Sequence, residues 1–488
     1  MHKYLPTIGL EVHAELHTKT KVFCDCPNNP DEKRPNTNVC PVCLGHPGVL
    51  PVLNKKAIEF MIKIGLAIGG EINENFKFDR KNYFYPDLPK GYQISQFDLP
   101  IVKGGSLDIS SRIRKNRIIK INRVHLEEDA GKLVHGKDEN GKEITFVDFN
   151  RGGVPLMELV SEPDIHSAEE AVAYGRELQL LLRYLGVSTA DLERGQMRFD
   201  ANISISPDEK LGTRAEIKNL NSFSALESAI NYEIKRQTEI LEEGGKVNQE
   251  TRGWDDIKQK TIAQRSKEQA HDYRYFPEPD LPPFTKSGFD IEKLKLEIPE
   301  LPEAKRKRFA EQYKISQDML GMLIDDREMS NYFEQAVSEL EGDEQEEINS
   351  EKIKLTLNYL STDLRGLLMA KGIGFSESKV DPENFADLID MIAKKEISSR
   401  VAKDLIVRMI DTGLDPREIV KTESLGQISD EAGLHELVVK ILKENPKAAG
   451  DLKSGKDQAV MFLIGKAMAA LKGRGNPEVL KKLFKENI

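Results

Sequence analysis

Three stretches far apart in the chain carry the side chains that a hard divalent cation selects. Glu11-Val-His13 lies near the start, Glu127-Glu128-Asp129 follows much later, and Glu158 ends the run Val147-Asp-Phe-Asn150-Arg151-Gly-Gly-Val-Pro-Leu-Met-Glu158. Carboxylate oxygens suit Mg²⁺, which usually keeps substrate phosphates in its shell. Each element is weak by itself. A histidine beside acids can ligate a metal, relay a proton or be a satisfied polar side chain, and for His13 alone the last reading is favoured. Three neighbouring acids repel one another unless a cation or a lysine relieves them. Asn150-Arg151-Gly152-Gly153 adds a fork-shaped cation and bare backbone that a phosphate can approach closely. The joint presence of these parts argues for metal-assisted phosphate chemistry.

All 4 cysteines fall close together, as Cys24-x-Cys26 and Cys40-x-x-Cys43. Two such loops can present four thiolates to one tetrahedral ion, the preference of structural zinc. Disulfides are the alternative, but no secretion signal argues for an oxidising compartment. A redox Cys-x-x-Cys lacks the βαβ pattern it needs, and a closed set of four leaves no open position for catalytic zinc.

The elements that must position these groups change character along the chain. Strands are expected over 7–16, 119–124, 144–150 and 201–206, from alternation and turn signals. Because strand side chains repeat every two residues, Glu11 and His13 share one face. Helices are expected over 55–68, 167–185 (with Ser167 as a cap) and 224–243. This is a mixed α+β region built around antiparallel sheet, closed by the proline-rich stretch 276–283 and by Ile298-Pro-Glu-Leu-Pro302. Beyond it the pattern is helical, over 303–313, 319–340, 353–369, 431–444 and 457–471. The closing segment is basic, Lys472, Arg474, Lys481, Lys482 and Lys485 facing only Glu478 and Glu486. On charge alone that segment reads as a solvated helix face.

Length and charge bound the rest. At 488 residues, about two to four domains are expected. A net charge of −10 argues against indiscriminate nucleic-acid binding but permits a local basic patch. No apolar run reaches the roughly 20 residues of a membrane span, and no signal-peptide core opens the chain, so a cytoplasmic setting is expected.

The run 147–159 resembles the signature of the B subunits of glutamyl/aspartyl-tRNA amidotransferases. The resemblance extends through Ile8-Gly-Leu-Glu-Val-His13, Phe78-Asp-Arg-Lys-Asn-Tyr-Phe-Tyr-Pro86, Tyr92-Gln-Ile-Ser-Gln96 and His125-Leu-Glu-Glu-Asp-Ala-Gly131. It continues in Met197-Arg-Phe-Asp-Ala-Asn202, Glu216-Ile-Lys-Asn-Leu-Asn-Ser-Phe223, Glu250-Thr-Arg252 and Asp272-Tyr-Arg-Tyr-Phe-Pro-Glu-Pro-Asp280. It implies an α+β fold with a catalytic cradle over 1–297 that embeds zinc-binding loops, a helical domain over 298–412 and a YqeY-like tail over 413–488. The related E subunit carries a large extra insertion for which this chain has no room.

The activity it implies is ATP-dependent conversion of glutamate or aspartate, misacylated on a glutamine or asparagine tRNA, to the amide through an acyl phosphate. The family pattern makes His13, Glu128 and Glu158 the magnesium ligands, with Glu11 beside them and Glu127 as the alternate to Glu128. From residue type rather than from the family, Arg151 and Lys81 are expected to contact phosphate, and Tyr83 and Tyr85 to line the substrate pocket. Asn150 is grouped with the catalytic set. Cys24, Cys26, Cys40 and Cys43 would hold structural zinc. Ammonia would come from an amidase A subunit, joined by a small C subunit. The tail would then meet the tRNA backbone through Lys472, Arg474, Lys481 and Lys482.

Overall fold

The computed structural model describes residues 4–29, 31–208, 210–266, 272–340, 350–423, 431–454, 457–471 and 473–487. The chain divides into two compact units, Met1–Lys305 and Arg306–Ile488. The first therefore runs past the expected edge at 297.

The strands that matter to the site are β1 (Leu5–Glu15), β2 (Asp79–Asn82), β3 (Tyr92–Ser95), β4 (Ile118–Glu128), β5 (Pro155–Ser161), β6 (Met197–Ser206) and β7 (Ala215–Leu220). The main sheet runs Lys260–Ser266, Glu250–Asp255, β7, β6, β1, β5, β4, Val102–Lys103 and Glu71–Ile72. Among the described strands its pairings are antiparallel except that of β7 with Glu250–Asp255. A smaller sheet joins Phe276–Pro277, β2 and β3.

Alternation makes β1 two-faced. Ile8, Leu10, Val12 and Ala14 are at most 1% exposed, while Glu11, His13 and Glu15 point the other way. Three helices, α1 (Lys55–Ala67), α2 (Ala168–Leu185) and α3 (Phe223–Glu242), close over the apolar face. Each starts at a side chain that accepts from the first turn: Asn54 from Lys56 N, Ser167 from Glu170 N and Ser222 from Ala225 N. A Cβ on Gly175 of α2 would come within 2.9 Å of the fully buried Phe199 ring, so this glycine lets the helix settle on the sheet. With helices filling one face, the polar side chains of the other are left to form a site.

In the second unit the expected 319–340 helix is two, Gln317–Ile324, which ends at its C-cap Asp325, and Arg327–Ser338, which Asp326 caps by accepting from Met329 N. The expected 353–369 helix is continuous but passes through a π-helical turn at Tyr359–Leu364 before Gly372 stops it in the left-handed region. The last four helices are Glu431–Glu444, Pro446–Lys453, Asp457–Ala470 and Pro477–Glu486. They close a core of their own around Leu434, Val438, Leu463, Leu480 and Phe484. Among the described residues no helix is long and apolar enough to cross a membrane.

Candidate active site

One row of side chains crosses four adjacent strands on the polar face. His125 on β4 stands opposite Glu158 on β5, Glu158 opposite His13 on β1, and His13 opposite Arg198 on β6. Directly opposed residues bring their side chains within reach of one another. The Glu158 carboxylate lies 3.3 Å from Nε2 of both histidines. Glu127, two residues along β4 from His125, adds a second carboxylate 4.0 Å from His13 and 3.8 Å from His125. His13, Glu127 and Glu158 offer ligand atoms all within 4.8 Å of one another, a group able to hold a metal ion. The Nδ1 atoms of His13 and His125 are buried without a hydrogen-bond partner.

The electrostatics are those of a tight ionic cluster. Burial alone would raise Glu158, but His125 and His13 hold its carboxyl well below the usual carboxylate range. Burial would lower His125, yet Glu158 and Glu127 push it up to about 9. His13 is raised in the same way, chiefly by its bond to Glu158. Lys81, 3.9 Å from Glu127, is raised despite its burial by Glu127 and Glu158, and it helps to lower Glu127. Lys81 and His125 thus place positive charge beside these carboxylates, where a divalent ion would otherwise provide it.

A cleft of ≈ 630 Å³ opens over this row, within the size range of small-molecule sites. On its β6 and β7 side, Glu11, Asp200 and Glu216 gather around Lys218, which lies 3.3 Å from Asp200 and 3.2 Å from Glu216. Burial, then Glu158 and Asp200, raise the Glu11 carboxyl. Phe97, Tyr273 and Tyr275 form an aromatic wall.

The expected residues divide between this cleft and its supports. Glu11, His13, Lys81 and Glu158 line it. Glu128 does not: neighbours on a strand face opposite ways, so Glu127 points to His13 while Glu128 accepts from Ile94 N at 2.8 Å and pairs with Lys90. Asn150 accepts from Thr37 N and Asn38 N at 2.8 Å and donates to Arg34 O, tying the cysteine loop to the sheet. The Arg151 guanidinium donates to the carbonyls of Ala130 and Gly131 and lies 3.5 Å from Asp129, so it clamps a turn rather than facing the cleft. Tyr83 braces Tyr273 edge-on at 5.8 Å, and Tyr85 is 57% exposed outside the cleft lining. His125, Asp200 and Lys218 escaped the sequence reading. For His125 and Glu127 the signal was present, the same i, i+2 spacing that paired Glu11 with His13.

The four cysteines are free thiols whose sulfurs lie within 4.8 Å of one another. A tetrahedral zinc with bonds of about 2.3 Å sets its sulfurs about 3.8 Å apart, so only small shifts separate the two geometries. A bond from Cys24, opposed by burial and helped by Lys21, holds the Cys43 thiol down to about 4, while burial and Cys40 push Cys26 up to about 12. Lys21 is fully buried, with Nζ 3.8 Å from Cys43 Sγ and 3.2 Å from Phe149 O. Gly153 sits at φ +85°, a conformation that side-chain-bearing residues rarely adopt, and a Cβ there would rest in ordinary contact with Lys21 at 3.4 Å and Cys43 at 3.6 Å. In the second unit Lys481 and Lys482 are exposed, Arg474 is half-buried and donates to Leu471 O, and Lys472 lies outside the described residues.

Comparison with known proteins matches residues 6–289 to the GatB/GatE catalytic domain and residues 331–488 to the GatB domain. The chain is 46% identical over 490 residues to the B subunit of the aspartyl/glutamyl-tRNA(Asn/Gln) amidotransferase of Carboxydothermus hydrogenoformans, covering 100% of this chain and 99% of that one. It is 47% identical over 488 residues to the protein of the same name from Brevibacillus brevis, again covering 100% and 99%. A Thermotoga relative, also of that name, is 44% identical, with 99% of each chain covered. Matches of this identity that run end to end across both units place the chain: it belongs to the GatB/GatE family, among the B subunits of aspartyl/glutamyl-tRNA(Asn/Gln) amidotransferases.

Proposed function

We propose that the cleft amidates the side-chain carboxylate of glutamate or aspartate esterified to a glutamine or asparagine tRNA, at the expense of ATP. The observation that carries this reading is the His125–Glu158–His13 row with Glu127, buried in the sheet yet open to a cleft with lysines at its edge. A free carboxylate resists ammonia because oxide is a poor leaving group. Transfer of the γ-phosphoryl group to a carboxylate oxygen gives an acyl phosphate and ADP. Ammonia then attacks the acyl carbon, the bond to the phosphate oxygen breaks, and the proton lost from nitrogen goes to the departing phosphate, leaving the amide and hydrogen phosphate.

His13, Glu127 and Glu158 would hold Mg²⁺, with Glu11 beside them, and the ion would offset charge on the phosphates. Lys81 and Lys218 reach into the cleft and take the anionic oxygens, the role that Arg151 cannot fill while it clamps its turn. Asn150 and Glu128 act by positioning. Cys24, Cys26, Cys40 and Cys43 would hold a structural zinc. Ammonia would come from an amidase A subunit, with a small C subunit completing a cytoplasmic heterotrimer. The YqeY-like tail would hold the tRNA backbone through Lys472, Arg474, Lys481 and Lys482.

The test is Glu158→Gln in the assembled complex, with ammonium supplied directly. Amidation is expected to fall at least about a hundredfold while tRNA binding persists, since several kcal/mol of charge stabilisation leave with the ligand. Undiminished amidation would remove the site.

A further inference from the structure

The proposed reaction brings two adenosine-bearing molecules to one cleft, ATP and a tRNA whose amino acid is esterified to its terminal adenosine. Building on that amidation reading, we propose that Phe97 and Tyr275 form the platform on which one of these adenines stacks. Their rings are already parallel, with centroids 4.3 Å apart and planes at 10°. Although paired with Tyr275 on one side, Phe97 remains 58% exposed, which leaves its other side open to the cleft.

The surroundings hold the pair as a fixed surface. The Phe97 amide donates to Asp79 Oδ2 at 3.1 Å. Tyr275 meets Tyr273 edge-on at 6.1 Å, and Lys81 lies 5.4 Å over the Tyr273 ring. Both platform residues line the same cleft as His13 and Glu158.

The occupant follows from what surrounds the open face. Asp98, Lys103 and Asn122 make the cleft wall beside it polar, Asp98 paired with Lys77 and Asn122 with Glu162. A purine stacks through its π-face and still offers donors and acceptors along its edges, so it satisfies both demands.

The experiment uses the assembled complex, with ammonium as nitrogen source, and measures KM for ATP and for misacylated tRNA separately. Phe97→Ala is expected to raise one of the two by roughly tenfold, with kcat changed by less than about twofold, as expected for loss of one base stack. Phe97→Trp, which keeps a π-face, is expected to restore it. The KM that moves identifies the adenine, ATP or the tRNA end. A rise in both, a rise in neither, or a Trp variant as impaired as the Ala variant overturns the platform. Glu158→Gln run alongside separates the two ideas: if it is inactive while Phe97→Ala is normal, only the platform falls, and if it is active the amidation reading falls with it.

Discussion

Of the three groups among the described residues that could hold a metal ion, the thiol cluster and the acid–histidine cluster are made in opposite ways. The thiol cluster sits on loops, draws its sulfurs from two short segments and is closed by Lys21 and Gly153 on its inner side. The acid–histidine cluster sits on β1, β4 and β5, and it opens to a cleft with lysines and aromatic rings around it. Four soft ligands with no vacancy make a staple, whereas a few hard ligands on rigid strands with one side open leave room for a substrate. Strand β4 serves both. Glu127 turns to the two histidines that line the cleft, while Glu128 turns to a smaller cavity that Cys24 and Cys43 also line.

Those two neighbouring glutamates give the sharpest way to break the contrast. Glu127→Gln in the complex is expected to lower ammonium-driven amidation by at least about a hundredfold with little change in stability. Glu128→Gln leaves Lys90 buried without its carboxylate, and about 3–5 kcal/mol of stability is expected to go with it. Thermal or denaturant unfolding beside a rate assay decides the matter. If the two phenotypes are exchanged, Glu128 is the ligand and Glu127 the support.

The same pair shows what a linear reading can see. The cysteine spacing is local, so the thiol group was legible from four positions. The alternation in β1 was equally plain, and it placed Glu11 with His13. Strand β4, however, was expected to end near Val124, because His125, Glu127 and Glu128 are poor strand formers. Tertiary pairing overrides that preference: β5 and β3 give these side chains partners that propensity cannot foresee, such as Ser95 Oγ donating to Glu127 at 2.9 Å. The opposition of Glu11 to Asp200 is a matter of register across strands almost two hundred residues apart, and no spacing rule reports it. The glycine pair and Asn150-Arg151 suggested a phosphate cradle; in the fold Asn150 bonds to the cysteine loop and Arg151 to the Ala130–Gly131 turn, contacts that no motif reports.

The staple side of the contrast is tested by composition and stability. Purified protein is expected to carry about one zinc per chain, and Cys43→Ser to lose it together with several kcal/mol of stability. Lys21→Met should keep the sulfurs but remove the buried ammonium beside Cys43, weakening zinc by about ten- to a hundredfold in chelator competition. Metal-free wild-type protein that stays fully folded would show the thiols to be mere packing.

The smallest expected effect lies in the pH dependence of the open cluster. His125 ordinarily titrates near 6.5 and in the fold is raised to about 9 by Glu158 and Glu127. A group raised in this way contributes stability that is fully present below pH 6.5 and is lost as pH climbs through about 9. Metal-free protein should therefore lose stability between these limits, by no more than a few kcal/mol, as the histidines give up the charge that held Glu127 and Glu158. His13, raised alongside it, must be neutral to ligate a cation, so added Mg²⁺ should stabilise most at the alkaline end, where protons no longer compete. Denaturant midpoints across that window, with and without Mg²⁺, measure both trends, and His125→Asn should flatten the first. A Mg²⁺ effect that is constant with pH would mean that the ion does not displace protons from this row, and the cleft would lose its claim to be the open half of the pair.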